Sequence, residues 1–158
     1  MASKAKTAPR GYHTVTPYLT VDGADRAIAF YKEAFDATEV MRMPGPNGRV
    51  GHAEIRIGDS PIMLSDEYPD MGARGPHSLG GTPVTIHLYV ADVDATAGRA
   101  IAAGAKELRP VKDQFYGDRT GSVTDPFGHI WHIATHKVDV PPDELRKRAE
   151  EMAKQHAS

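Results

Sequence analysis

The sequence contains no cysteine. That removes disulfides, thiolate nucleophiles and cysteine-ligated zinc from consideration. Tryptophan occurs once and aromatic residues make up 7% of the chain, so an aromatic-walled site would have to draw on few side chains. No apolar run approaches the roughly 18 residues that suggest a membrane span, and no membrane partner is expected. Charge of one sign is not in excess either. Nineteen Lys and Arg against 21 Asp and Glu leave a net charge of −2, with the signs interspersed, which argues against nucleic acid as a partner. The opening MASKAKTAPRGYH has basic residues but no apolar core behind them, unlike a secretory signal. Residues 1–12 are expected to be a disordered lead-in, and the protein to be cytoplasmic.

What is present is an ordinary globular composition, 40% hydrophobic and 25% charged over 158 residues. This is room for one domain, or for two small halves sharing a core. An internal repeat points to the halves. TPYLTVDGADRAIAFYKEAFDA from Thr16 aligns with TIHLYVADVDATAGRAIAAGA from Thr85, pairing Leu19 with Leu88, Val21 with Val90 and Asp25 with Asp94. Each copy reads as an alternating strand, an acidic turn and an amphipathic helix, with Ala27, Ile28, Tyr31 and Phe35 or Val93, Ala97, Ala100 and Ile101 on the apolar face. Asp22 and Asp92 are the expected helix caps, and Gly104 suits the left-handed position after the second helix.

Three short strands follow each helix: ATEVMRM, RVGHAEIRIG and SPIMLSD, then KELRPVKD, RTGSVTD and HIWHIATH. The last is preceded by DPFG, with proline and glycine where a type I turn wants them. A helix there would gather His129, His132 and His136 on one face, but the turn signal favours a strand, which separates His129 from the other two. Between the halves, residues 68–82 are rich in Gly and Pro and read as a mobile loop. VPPDELRKRAEEMAKQHA reads as a helix in a 138–158 extension, with early acids and late bases. Its weak apolar stripe is Leu145, Ala149 and Met152.

Strand parity separates two faces. Val15, Leu19 and Val21, Ala53, Ile55 and Ile57, Ile62 and Leu64, Ile86, Leu88 and Val90, and Trp131 and Ile133 form an apolar set for the helices to cover. The opposite parity carries Thr16 and Tyr18, His52, Glu54 and Arg56, Met63 and Ser65, Thr85, His87 and Tyr89, and His132. Such a face either meets solvent or lines a cavity. Its imidazoles and phenols, in place of lysine and glutamate, favour the cavity. In FYGDRTG, Arg119 could clamp an anion and Tyr116 could stack on a ring; the alternative is a hairpin tyrosine beside a surface arginine. Asp66 and Glu67 could meet a cation or be solvated.

YLTVDGADRAIAFYKEAF, LYVADVDATAGRAIAAGA, GHAEIRIGDSPIMLSDE and QFYGDRTGSVTDPFGHIWHIATH, in this order, resemble the vicinal oxygen chelate superfamily of glyoxalase I, extradiol dioxygenases and bleomycin-resistance proteins. The PhnB-like branch is the nearest likeness. The resemblance implies an α+β fold of paired βαβββ units, 13–67 and 83–137, forming curled mixed sheets around a cavity, commonly in a homodimer. It implies a divalent metal at positions that here are Thr16, Met63, Thr85 and His132. Only His132 is a good ligand for a first-row metal, so this set looks degenerate. A shifted set from His52, Glu54, His87 and His132 would have competent donors. The expected function is binding of a small organic molecule between the repeats without a conventional metal site, through Tyr18, His52, Glu54, His87, Tyr116, Arg119 and His132. The alternative is a metal-dependent lyase, isomerase or dioxygenase of the glyoxalase type.

Overall fold

Alternating strands, each half with one helix to cover its apolar parity, produce two mixed four-stranded sheets in an α+β arrangement. The structure is a computed structural model and describes residues 4–157. The backbone divides into two compact units. The first runs through Pro83 and includes Pro126–His129; the second holds Val84–Asp125 and the chain from Ile130 onward.

In the first unit β1 (Tyr18–Val21) leads to α1 (Ala24–Phe35), then β2 (Thr38–Pro44), β3 (Val50–Ile57) and β4 (Ser60–Asp66). The sheet order is β1-β4-β3-β2, with β1 parallel to β4 and the other pairs antiparallel. Helix α1 lies against β1, β3 and β4. It buries Ala27, Ile28, Tyr31 and Phe35 with Ala53, Ile55 and Leu64, the residues on the apolar parity. Phe127, from the turn that belongs to this unit, adds a ring 6.4 Å from both Phe30 and Tyr31. Val15 departs from the expected pattern: the strand begins only at Tyr18, and Val15 is 84% exposed. Pro9–Tyr12, in the expected lead-in, form a turn that hydrogen-bonds to β3 through Arg56 and Glu54; residues 1–3 lie outside the described residues.

The cap of α1 also differs from expectation. Asp22 pairs with Arg49 at 2.7 Å, and the helix start is held from β4. Buried Asp66 accepts from the amides of Gly23 and Ala24 through Oδ1, both at 2.8 Å, and from Val50 through Oδ2 at 2.8 Å. The 68–82 connection is locally structured. A 3-10 turn (Pro69–Met71) is followed by the single-turn α2 (Pro76–Leu79), and Glu67 accepts from the Gly75 amide and the Ser78 hydroxyl at its start.

The second unit repeats the plan. It contains β5 (Thr85–Tyr89), α3 (Val93–Ala102), β6 (Lys106–Asp113), β7 (Asp118–Thr124), β8 (Ile130–His136) and α4 (Pro142–His156). The sheet order is β5-β8-β7-β6. Tyr18 sits opposite Met63 and His87 opposite His132, so the two parallel pairs have the same register. Here Asp92 does cap its helix, accepting from Ala95 at 3.1 Å. Thr135, at the position equivalent to Asp66, accepts from the Val93 amide at 2.9 Å. Trp131 is fully buried and donates its indole N–H to Asp125 at 2.9 Å. Ile101 is 41% exposed, outside the core that its spacing predicted. No residue of α4 is buried, although Arg148 ties it to the Phe115 carbonyl at 2.9 Å.

Candidate ligand-binding site

Helix α3 covers one face of the second sheet, against β6, β7 and β8. The other face is organised in rows across the strands. His87 of β5 lies beside His132 of β8, which faces Ser122 of β7, which faces Arg109 of β6. The next row runs Tyr89, Ala134, Thr120, Lys112. Along β7 the two rows are two residues apart, but along β6 they are three apart. A regular strand would send Arg109 and Lys112 to opposite faces. The register shift between them inserts the extra residue of a β-bulge, and both return to one face. Pro110 sits in this irregular stretch of an edge strand, where its missing N–H is tolerated. The bulge brings Val111 onto Gly121: a Cβ there would stand 2.6 Å from Val111 Cγ2 and 3.2 Å from its Cα.

These rows form the floor of a cavity of about 470 Å³. Its lining includes His87, His132, Arg109, Lys112, Gln114 and Tyr116, with Thr120 and Ser122 below. The imidazoles of His87 and His132 are 6.0 Å apart, and Tyr89 lies 4.7 Å from His87. Gln114 donates to the Thr120 hydroxyl at 3.0 Å. Burial lowers the pKa of His132, and electrostatic repulsion from His87 and Arg109 lowers it further. The site presents imidazole, phenol and hydroxyl groups together with the side chains of Arg109 and Lys112.

Of the expected site residues, His87, His132 and Tyr116 line this cavity. Arg119 does not. Its neighbours Thr120 and Ser122 hold the cavity parity of β7, so Arg119 points to the helix side. There it binds both oxygens of Asp94 in the first turn of α3, at 2.8 and 3.0 Å, and Asp113 at 3.2 Å. Tyr18, His52 and Glu54 converge in the first unit. Glu54 accepts from the Tyr12 hydroxyl and from His52 Nε2 at 2.9 Å. His52 Nδ1 and the Tyr18 hydroxyl are also hydrogen-bonded, at 2.9 Å. A cavity of about 610 Å³ in the same unit holds Arg49, but that charge is answered by Asp22 and Asp66.

Sequence reasoning missed Arg109 and Lys112. Their signal was Pro110 between the two cations, since proline within a strand marks an edge or a bulge, but parity alone counts Arg109 and Lys112 onto opposite faces. Asp66 was read as a ligand or a solvated acid, because its amide partners are remote in sequence. The terminal histidines separate as a strand predicts. His129 donates to the Thr20 carbonyl at 2.9 Å within the first unit, and His132 faces the cavity. His136 is held at 2.6 Å by both Asp139 and Asp118, whose hydrogen bonds raise its pKa.

The positions where the resemblance puts a metal do not fit one. Thr16 precedes β1. Met63 offers a thioether and Thr85 a hydroxyl, both poor partners for the first-row metals that histidine and carboxylate hold. Among the described residues no three His, Asp or Glu side chains form a group that could hold a metal ion.

Comparison with known proteins agrees with the repeat and the topology. A family model described as the Glyoxalase/Bleomycin resistance protein/Dioxygenase superfamily matches residues 11–133. An uncharacterized protein of Mycobacterium tuberculosis is 50% identical over 135 residues, covering 84% of this chain and 79% of that protein. Among solved structures, TioX from Micromonospora is 28% identical with a TM-score of 0.62, over 77% of this chain and 96% of its own. A PhnB protein from Bacillus cereus shares the fold at 19% identity, with a TM-score of 0.61 over 78% of this chain and 99% of its own.

Proposed function

This chain belongs to the Glyoxalase/Bleomycin resistance protein/Dioxygenase superfamily, and from that premise we propose that it binds a small organic molecule without a conventional metal site. The observation that carries the reading is the cavity of about 470 Å³ on the face of the second sheet opposite α3. Small-molecule sites typically run from about 300 to 1,000 Å³ and pair flat hydrophobic walls with a few orienting polar groups. The rings of His87, His132 and Tyr116 supply walls. Gln114, Thr120 and Ser122 supply hydrogen bonds. The donor set at Thr16, Met63, Thr85 and His132 favours binding over metal-assisted chemistry.

The test is a thermal-shift screen of small metabolites and antibiotics, with and without divalent metals, on wild type and on His87→Ala/His132→Ala. Hits that raise the melting temperature of wild type alone, in metal-free buffer, are the expected result. Equal shifts in the double variant would remove the ligand from this cavity. Stoichiometric Zn, Ni, Mn or Fe in protein purified without a histidine tag, lost on His132→Ala, would overturn the metal-free reading. The same proposal takes the protein as a homodimer, with Leu145, Ala149 and Met152 of α4 as candidate contacts. Light scattering that returns the 17.1 kDa chain mass at micromolar concentration would end it.

A further inference from the structure

We propose that the molecule bound in the second unit carries a carboxylate, phosphate or phosphonate group, held by Arg109 and Lys112. This rests on the reading of that cavity as a binding site, and it deepens that reading by naming the charge of the ligand. The first support is geometric. The β6 bulge brings a guanidinium and an ammonium to the same side of an edge strand, in adjacent rows about 7 Å apart at 3.3–3.4 Å per residue. Their flexible stems let both heads reach one oxyanion.

The second support is what surrounds them. No carboxylate lines the cavity. Neither the Arg109 nor the Lys112 side chain has an ion-pair or hydrogen-bond partner among the described residues. Four other arginines do meet acids, Arg42 with Glu39, Arg49 with Asp22, Arg119 with Asp94 and Asp113, and Arg148 with Glu144, whereas the lining around Arg109 and Lys112 offers none. Two unanswered cations in one concavity, on a chain of net charge −2, are not explained by a general basic surface. The hydroxyls of Thr120 and Ser122 are further donors on the cavity floor, and the Gln114 amide already donates to Thr120. Arginine's planar fork matches a carboxylate or phosphonate, and lysine adds a point charge. Tyr116 and the two imidazoles give a flat substituent a surface to lie on.

Benzoate, phenylphosphonate, inorganic phosphate, benzamide and benzamidine separate charge from ring. Each is titrated into the full-length protein while the backbone amide signals of Thr120, Gly121 and Ser122 are followed by NMR. Benzoate and phenylphosphonate should move these signals, and rising salt should weaken both. The comparison of phenylphosphonate with inorganic phosphate reads the contribution of the ring, and that of benzoate with phenylphosphonate the choice of head group. Arg109→Gln/Lys112→Gln should weaken both organic anions by about tenfold or more, with benzamide binding unchanged and the remaining spectrum intact. Benzamide or benzamidine binding as tightly as benzoate would overturn the anion inference and leave the cavity reading standing. Salt-independent anion binding would overturn it as well, even if the double variant failed to fold. If none of the ring compounds moves these amides, the cavity reading falls, and the inference with it.

Discussion

Asp66 shows how one side chain can organise a unit. Burial pushes its carboxyl up, but the amides of Val50, Ala24 and Gly23 and the charge of Arg49 outweigh that, and its pKa lies below the ordinary carboxylate range. It gathers the start of α1 and the start of β3 onto the end of β4. Asp66→Asn keeps the shape but removes an acceptor, leaving a buried amide unanswered at a cost of about 1–3 kcal/mol. Urea denaturation should show that loss, whereas Asp22→Ala, at an exposed ion pair, should cost under about 1 kcal/mol. A depressed pKa means the Asp66 contribution is full above the unfolded carboxylate value and disappears as pH falls through the folded one. The acid limb of the stability curve should therefore be shallower in Asp66→Asn. An unchanged acid limb would show that other carboxylates govern acid unfolding. In sequence, Asp22 looked like the cap because it lies next to the helix, and nothing local distinguishes Asp66. In the second repeat Asp92 is both near and correct, so the same rule worked once in two tries.

Strand β6 illustrates what alternation reveals and what it hides. Parity sorted His87, Tyr89 and His132 onto the face opposite the helices, because those strands are regular. It could not place Arg109 and Lys112, since a bulge is set by the partner strand. Gly121 is that partner's accommodation, a buried position where the bulged backbone comes close. Gly121→Ala should destabilise by about 1–3 kcal/mol, the range for forced overpacking. Val111→Ala removes the nearest clashing atom, so in the double variant the loss should be partly recovered, as a coupling term in chemical denaturation. Strict additivity of the two changes would argue that Val111 and Gly121 do not bear on each other. The same variants would disturb the spacing of Arg109 and Lys112, so anion affinity should fall in Gly121→Ala without any change of charge.

At the scale of the whole molecule, the repeat is legible in the sequence itself. Thr16 aligned with Thr85, and the matching registers of Tyr18 with Met63 and His87 with His132 express that alignment in three dimensions. What the repeat did not disclose is that Pro126–His129 belongs to the first unit although β7 and β8 on either side belong to the second. The chain thus crosses from one unit to the other three times, at Pro83, at Asp125 and at His129. Such threading opposes independent unfolding. Trp131, fully buried in the second unit, is the only tryptophan, so its fluorescence reports that unit alone. Its urea transition should coincide with that of far-UV circular dichroism, which averages over both. Separated midpoints would show that the two units unfold independently.

The bulges also bear on how copies of the chain could meet. Strands β2 and β6 are the free margins of their hairpins, and open margins invite another chain to add a strand. Both interrupt their ladder with register shifts, and both contain a proline, Pro44 in one and Pro110 in the other. Neither offers the straight, unbroken row of amides and carbonyls that strand addition copies. Strand addition at these two margins is therefore disfavoured, and the irregularity that sets Arg109 and Lys112 on one face also blunts this edge of the sheet.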